Sequence, residues 1–221
     1  MKRKLVIFGT SEYGQLAHYY FSKESPFEVV AFILDSKYIS ETQFCGLPVV
    51  AFEEMKSQFS PETHHCFIAL GYSKLNALRK EKYLTVKSLG YPLATFISSR
   101  ATVLNDQQIG ENCFIFEDNT IQPFVTIGNN VTLWSGNHIG HHTHIQDHVF
   151  IASHAVVSGG VEIGEQCFIG VNATIRDHIK IGPRCVVGAG ALLLNDADPE
   201  GVYMGHATER SKVPSTRLRG I

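Results

Sequence analysis

Ile163-Gly-Glu-Gln-Cys-Phe-Ile169-Gly-Val-Asn-Ala-Thr-Ile175 places three isoleucines six residues apart, and the spacing extends in both directions from this stretch. Read outward, an aliphatic residue recurs every sixth position at Ile97, Val103, Ile109, Ile115, Ile121, Ile127, Leu133, Ile139, Ile145, Ile151, Val157, Ile163, Ile169, Ile175, Ile181, Val187 and Leu193. A period of six matches neither the 3.6 of a helix nor the strict alternation of one long strand. It matches a parallel β-helix, in which each hexapeptide supplies one short strand and one turn. Four residues after the aliphatic stands a mostly small or β-branched side chain, including Cys113, Val125, Ala155, Cys167, Ala173 and Cys185, that can share a narrow interior. Three of the five cysteines fall in this column, and their odd number without a CxxC argues against a disulfide framework or a zinc knuckle. Glycine often follows the aliphatic, at Gly110, Gly128, Gly140, Gly164, Gly170, Gly182 and Gly188, where the expected reason is a permissive backbone at a tight corner.

The first ninety residues follow other rules. Lys4–Phe8 reads as a strand, Ser11 to about Ser22 as a helix and Val29–Leu34 as a second strand ending at Asp35. Phe52–Phe59 and Leu75–Leu89 read as helices around a strand at Cys66–Leu70. Such alternation implies a small parallel sheet covered by helices. Met1-Lys-Arg-Lys4 with Leu5–Phe8 is too short for a signal peptide and is taken as the start of the first strand. Gly9-Thr10-Ser11-Glu12-Tyr13-Gly14 keeps the GxGxxG spacing with serine at the middle glycine, and Asp35 closes the next strand. In that fingerprint the helix N-terminus takes phosphate and the acid takes ribose hydroxyls, although Ser11 should hinder close approach of a pyrophosphate.

The 221 residues carry a net charge of −2, with 44% hydrophobic and 18% charged residues, which excludes an electrostatic case for nucleic acid or an acidic membrane surface. No apolar run approaches the roughly 20 residues of a membrane span. The expected location is the cytoplasm.

The hexapeptide units resemble the bacterial hexapeptide-repeat acyltransferases, whose three hexapeptides per coil wind left-handed. A small Rossmann-like domain followed by such repeats resembles, over nearly the whole chain, the sugar acetyltransferases of bacillosamine, perosamine and related polysaccharide pathways and the sialic acid O-acetyltransferases. The resemblance implies an α/β nucleotide-sugar-binding domain at 1–95, an all-β left-handed parallel β-helix binding acetyl-CoA at 96–200 and a tail at 201–221. It implies a homotrimer with active sites between subunits, and a nucleotide-sugar site drawing on Gly9, Thr10, Ser11, Gly14, Asp35 and Gly71. His141 aligns with the family's catalytic histidine in an H-x-x-x-[IL]-x-D pattern ending at Asp147. One coil of eighteen residues above His141 stands Gly159, which aligns with a CoA-contacting glycine; Val171, Asp177 and Ala189 occupy corresponding columns along the CoA groove.

Acyl transfer from a thioester needs a base for the nucleophile and donors for the developing oxyanion. His141 is the expected base, in direct attack without an acyl-enzyme, and a glycine N–H above it can receive the thioester oxygen. The acidic neighbours that often flank the family's histidine are missing, so the orienting group is open between Asn137, His142 and an adjacent chain. His142, His148, His154 and His178 share the fourth hexapeptide position and read as surface or interface residues, with no metal site expected from their separation. Phe150 replaces a second family histidine, and Trp134 and Phe124 read as packing residues. The expected activity is N-acetylation of a nucleotide-linked amino-sugar, such as a 4-amino-4,6-dideoxyhexose. O-acetylation of sialic acid or a related sugar, and a non-catalytic trimeric scaffold, are the alternatives.

Overall fold

A computed structural model describes residues 3–106 and 108–217; Met1, Lys2, Gln107 and residues 218–221 of the regions above lie outside the described residues. The chain begins with β1 (Arg3–Phe8), α1 (Glu12–Glu24), β2 (Phe27–Leu34), β3 (Gln43–Phe44), β4 (Leu47–Ala51), α2 (Met55–Gln58), β5 (His64–Ile68) and α3 (Ala77–Ser88). The sheet order is β3-β4-β2-β1-β5, parallel except for the β3–β4 hairpin. The hairpin is an element the periodicity does not reveal. It turns on Cys45 and Gly46, both with positive φ (48° and 77°), as a two-residue hairpin turn demands. Only Met55–Gln58, after one 3-10 turn, is α-helical in the Phe52–Phe59 segment.

From Phe96 the chain forms seventeen two-residue strands. They stack as three parallel sheets of seven, six and four strands that the chain visits in rotation. We call them faces A (Phe96–Ile97, Phe114–Ile115 and so on), B (Thr102–Val103 onward) and C (Thr126–Ile127 onward). Thr132 pairs with Phe150 and Leu133 with Ile151, so one coil is eighteen residues, rising about 4.8 Å as adjacent strands do. The aliphatic column and its small companions, the three cysteines included, fill the interior.

The corner backbone revises the reading of the glycines. The left-handed residue of each corner is the fourth of the hexapeptide: Asn112, Asp118, Phe124, Asn130, His142, His148, His154, Gln166, Asn172, His178 and Arg184 all have φ between 53° and 64°. Asn, Asp and His tolerate that region better than most residues, which gives the four histidines a conformational reason before any chemical one. The glycines that follow the aliphatics have no positive φ. A Cβ on Gly140 would lie 2.5 Å from the Gly159 nitrogen, and one on Gly170 2.6 Å from the Ala189 nitrogen. These glycines let successive coils touch.

Face A carries the first domain. Phe96, Phe114, Phe150 and Phe168 point outward along it, each eighteen residues or a multiple from the next. Tyr13, Tyr20 and Phe21 of α1 pack on this column through edge-on aromatic contacts. Among the described residues no helix is long and apolar enough to cross a membrane.

Candidate active site

His141 lies in the corner between faces B and C, exposed, with its backbone N–H held by Gln122 Oε1 at 2.8 Å. Its imidazole lies against Gly159, where an added Cβ would meet Cε1 at 2.6 Å and Nε2 at 2.8 Å. Side chains one coil below cap such corner N–H groups elsewhere: Gln122 caps His141, and Gln146 caps Glu165 at 3.0 Å. The equivalent residue below Gly159 is Gly140, which has no side chain. The Gly159 N–H therefore finds no acceptor among the described residues and stays free beside the imidazole.

The Nδ1 atoms of His141 and His142 are 3.1 Å apart, with the rings edge to face. If His141 donates its Nδ1–H, its Nε2 keeps the lone pair on the Gly159 side. Asn137 is not an orienting group. Its amide is buried inside the coil, where Nδ2 donates to the Trp134 carbonyl and Oδ1 accepts the Ala155 N–H at 2.8 Å. Both ends of the amide are engaged with backbone inside the coil, so the side chain is committed.

Gly159 and Asp177 stack above His141 in the same corner, whereas Val171 and Ala189 lie in the corner between faces A and B. Within one chain face B separates the two columns.

The first domain offers two hollows at the carboxyl ends of its strands. The chain passes from β1 to β2 and onward, then crosses back to β5, so the sheet switches direction between β1 and β5. There lies a cavity of about 600 Å3 lined by Ser11, Glu12, Tyr13, Leu16, Gly71, Tyr72 and Ser73, and by Trp134 and Phe150 of the β-helix. Ser11 is the N-cap of α1, but its side chain caps nothing, so the first N–H groups of the helix are left free beside the cavity. A smaller hollow of about 210 Å3, lined by Thr10, Leu34, Tyr38, Glu41, Gln43 and Phe44 among others, lies on the other side of the same turn. Gly9 (φ 120°) and Gly14 shape that turn: a Cβ on Gly14 would be 2.2 Å from the Gly9 carbonyl oxygen.

Asp35 lines neither hollow. Its carboxylate pairs with Lys82 at 2.6 Å, the two side chains 16% and 12% exposed, so the ribose contact expected of it is replaced by an ion pair to α3. Trp134 stacks on Phe116 (4.6 Å, 8°) and also walls the larger cavity, while Phe124 is exposed beside His142. Phe150 packs on Phe168 and Tyr72 at the cavity wall.

Of the four corner histidines read as surface or interface residues, His148 is buried beneath α3, 3% exposed. The Ile68 N–H donates to Asn112 Oδ1 at 2.8 Å, Asn112 Nδ2 to Asn130 Oδ1 at 2.8 Å, and Asn130 Nδ2 to His148 Nδ1 at 2.8 Å. The backbone donor sets the polarity of the chain, so Nδ1 must accept and the imidazole is neutral. Burial holds its pKa down to about 4, partly offset by Asp147. Among the described residues no three His, Cys, Asp or Glu side chains gather as a metal site.

Residues 4–86 match the family described as PglD N-terminal domain, and 106–141, 124–159 and 160–195 match the bacterial transferase hexapeptide (six repeats). No curated protein matches the sequence. The acetyltransferase domain of PglB from Neisseria gonorrhoeae FA1090 superposes with TM-score 0.82 at 24% identity, over 92% of this chain and 97% of that one. A histidine-to-asparagine mutant of perosamine N-acetyltransferase from Caulobacter crescentus, in complex with CoA and GDP-perosamine, gives 0.81 at 21% identity, over 91% and 93%. WeeI from Acinetobacter baumannii AYE gives 0.77 at 22%, over 91% and 96%.

Proposed function

Given a chain that joins a PglD N-terminal domain to bacterial transferase hexapeptide repeats, we propose that it transfers an acetyl group from acetyl-CoA to the amine of a nucleotide-linked amino-sugar. The observation that carries this reading is the pairing of His141 with an unoccupied Gly159 N–H. Nε2 of His141 takes the proton of the attacking amine, while the Gly159 N–H receives the thioester oxygen as it becomes an oxyanion. His142 orients the imidazole by accepting its Nδ1–H. The amine attacks the carbonyl carbon directly, the C–S bond breaks and the thiolate of CoA leaves. No metal has a part in this scheme.

The nucleotide-sugar is divided by the Gly9–Gly14 turn. Its base occupies the smaller hollow at Thr10, its diphosphate faces the free N–H groups of α1 at Ser11, and its sugar fills the larger cavity beside Gly71. His141 sits at the corner opposite face A, on the far side of the coil from that cavity. One chain therefore does not unite base and acceptor, and we propose a homotrimer in which the His141 corner of one copy meets the cavity of the next. The same contact joins Gly159 and Asp177 of one copy to the Val171–Ala189 column of another, making the CoA groove. Solved neighbours in complex with acetyl-CoA, and with CoA and GDP-perosamine, support the choice of donor and of acceptor class.

A thiol-release assay with acetyl-CoA and UDP-, GDP- and dTDP-linked 4-amino sugars, with sialic acid in a separate well, tests it. Release with one amino-sugar, lost by ~100-fold or more in His141→Asn, is the expected result. Release on sialic acid alone assigns an O-acetyltransferase, and near-native turnover in His141→Asn removes the base.

A further inference from the structure

The phenylalanine column of face A is broken once, at Thr132, and a buried arginine fills the break. Arg79 is 1% exposed and has no carboxylate partner among the described residues. Its guanidinium donates to Thr132 Oγ1 at 2.5 Å, Asn76 Oδ1 at 3.1 Å, and the His148 and Val149 carbonyls at 3.2 and 3.4 Å, above the Phe150 ring. A buried cation without an anion is costly, and an apolar side chain of like volume would pack the same gap more cheaply. A fifth phenylalanine at 132 would complete the packing of face A.

The contacts suggest what the arrangement achieves. Thr132 Oγ1 also bonds the Tyr13 hydroxyl at 2.8 Å, and Tyr13 lines the larger cavity from the first turn of α1. Asn76 ends a loop in which Lys74, Leu75 and Asn76 all have left-handed backbones (φ 52°, 52° and 63°). Three such residues in a row are strained and persist only when their surroundings hold them. The clamps are Asn76 Nδ2 on the Cys167 carbonyl at 3.1 Å, Gln166 Nε2 on the Leu75 carbonyl at 2.9 Å, and Arg79 on Asn76 itself. This loop carries Gly71, Tyr72 and Ser73 to the opposite wall of the same cavity.

We infer that Arg79 is a positioning residue for the acceptor: it fixes both walls of the larger cavity, Tyr13 on one side and the 71–76 loop on the other, against the β-helix. The inference rests on the reading of that cavity as the sugar-diphosphate site. Arg79 touches no substrate and acts through Thr132, Tyr13 and Asn76. A lysine cannot reproduce it, because one ammonium cannot span acceptors on the 71–76 loop and on two coils as the planar fork of a guanidinium does.

The test measures KM for the acceptor and for acetyl-CoA separately, with the unfolding midpoint, in Arg79→Met, Arg79→Lys and Tyr13→Phe. The expected result is an acceptor KM raised ~10-fold in both Arg79 variants and ~5-fold in Tyr13→Phe, with acetyl-CoA KM within about twofold of wild type. Acceptor KM within about twofold of wild type overturns the inference. So does a parallel rise of both KM values with a lowered midpoint, which marks general loosening. Should the Arg79 variants fail to fold, Tyr13→Phe decides alone, since it removes one hydroxyl. A wild-type protein silent on every acceptor that also fails to bind acetyl-CoA counts against the enzyme reading. Titration of UDP and GDP against Trp134 fluorescence then decides the role of Arg79: weaker binding in Arg79→Lys together with Tyr13→Phe upholds it, and equal binding in Arg79→Lys overturns it.

Discussion

Gly159→Ala separates catalysis from stability at a single methyl group. Gly159 has no positive φ, so alanine is compatible with its backbone. The new Cβ would lie 2.6 Å from Cε1, 2.8 Å from Nε2 and 3.0 Å from Nδ1 of His141, and the ring must retreat about 0.8 Å to reach an ordinary contact of 3.4 Å. His141 is exposed and can swing outward, so the stability change stays within about 1 kcal/mol and is partly offset by the lower chain entropy of alanine. The retreat moves the base off line, and a misplacement of about 1 Å costs on the order of 100-fold in rate. Gly140→Ala is the matched control. Its Cβ meets the Gly159 nitrogen at 2.5 Å and the Ser158 carbonyl carbon at 2.6 Å, both backbone of the next coil. That clash is relieved only by parting two coils, at about 3 kcal/mol. Thiol release and thermal unfolding, measured on both variants, should show Gly159→Ala folded and slow and Gly140→Ala visibly destabilised. A Gly159→Ala protein with turnover within about threefold of wild type refutes the placement of the imidazole. A fall in its midpoint matching that of Gly140→Ala refutes the claim that only the ring moves.

Acid should expose the asparagine–histidine chain. His148 is held to about 4 when folded, below its ordinary value near 6.5, so the folded protein binds fewer protons between these pH values. Stability is complete above about 6.5, falls as pH drops toward 4 and levels below it, a loss on the order of 3 kcal/mol that His148→Asn should flatten in thermal unfolding against pH. Gly14→Ala places a methyl 2.2 Å from the Gly9 carbonyl oxygen, and circular dichroism should show a lower midpoint with loss of nucleotide-sugar turnover. Trp134 is the single tryptophan and walls the larger cavity, so a bound nucleotide-sugar should change its emission. An unchanged spectrum at saturating acceptor would move the sugar elsewhere.

The period of six made the β-helix legible, because an interior only a few side chains wide repeats one demand at every coil. The same economy misled the reading of the glycines: sequence marks where a side chain is missing but not whether the cause is φ or a neighbouring coil. His148 read as a surface or interface residue from its corner position alone; which of the two was decided by the first domain, which covers that corner and buries it. The eighteen-residue phenylalanine column at 96, 114, 150 and 168 was a visible signal for the face that docks the first domain, and it was hidden by the stronger aliphatic period. Asn137 was a candidate to orient His141 and Asp35 a candidate for ribose hydroxyls. Their partners, a backbone N–H one coil away and Lys82 on α3, exist only once the chain is folded. The β3–β4 hairpin, two and five residues long, has too few positions to set a pattern.

The placement of His141 across the coil from the larger cavity has a genetic consequence. A chain lacking the imidazole still owns an intact acceptor pocket, and a chain with a ruined pocket still owns its imidazole. In the proposed trimer, two dead alleles expressed together would mingle in rings, and with equal mixing roughly a quarter of the junctions would pair a sound imidazole with a sound pocket. Activity reborn from two inactive parents would reveal that the working unit is the seam between chains.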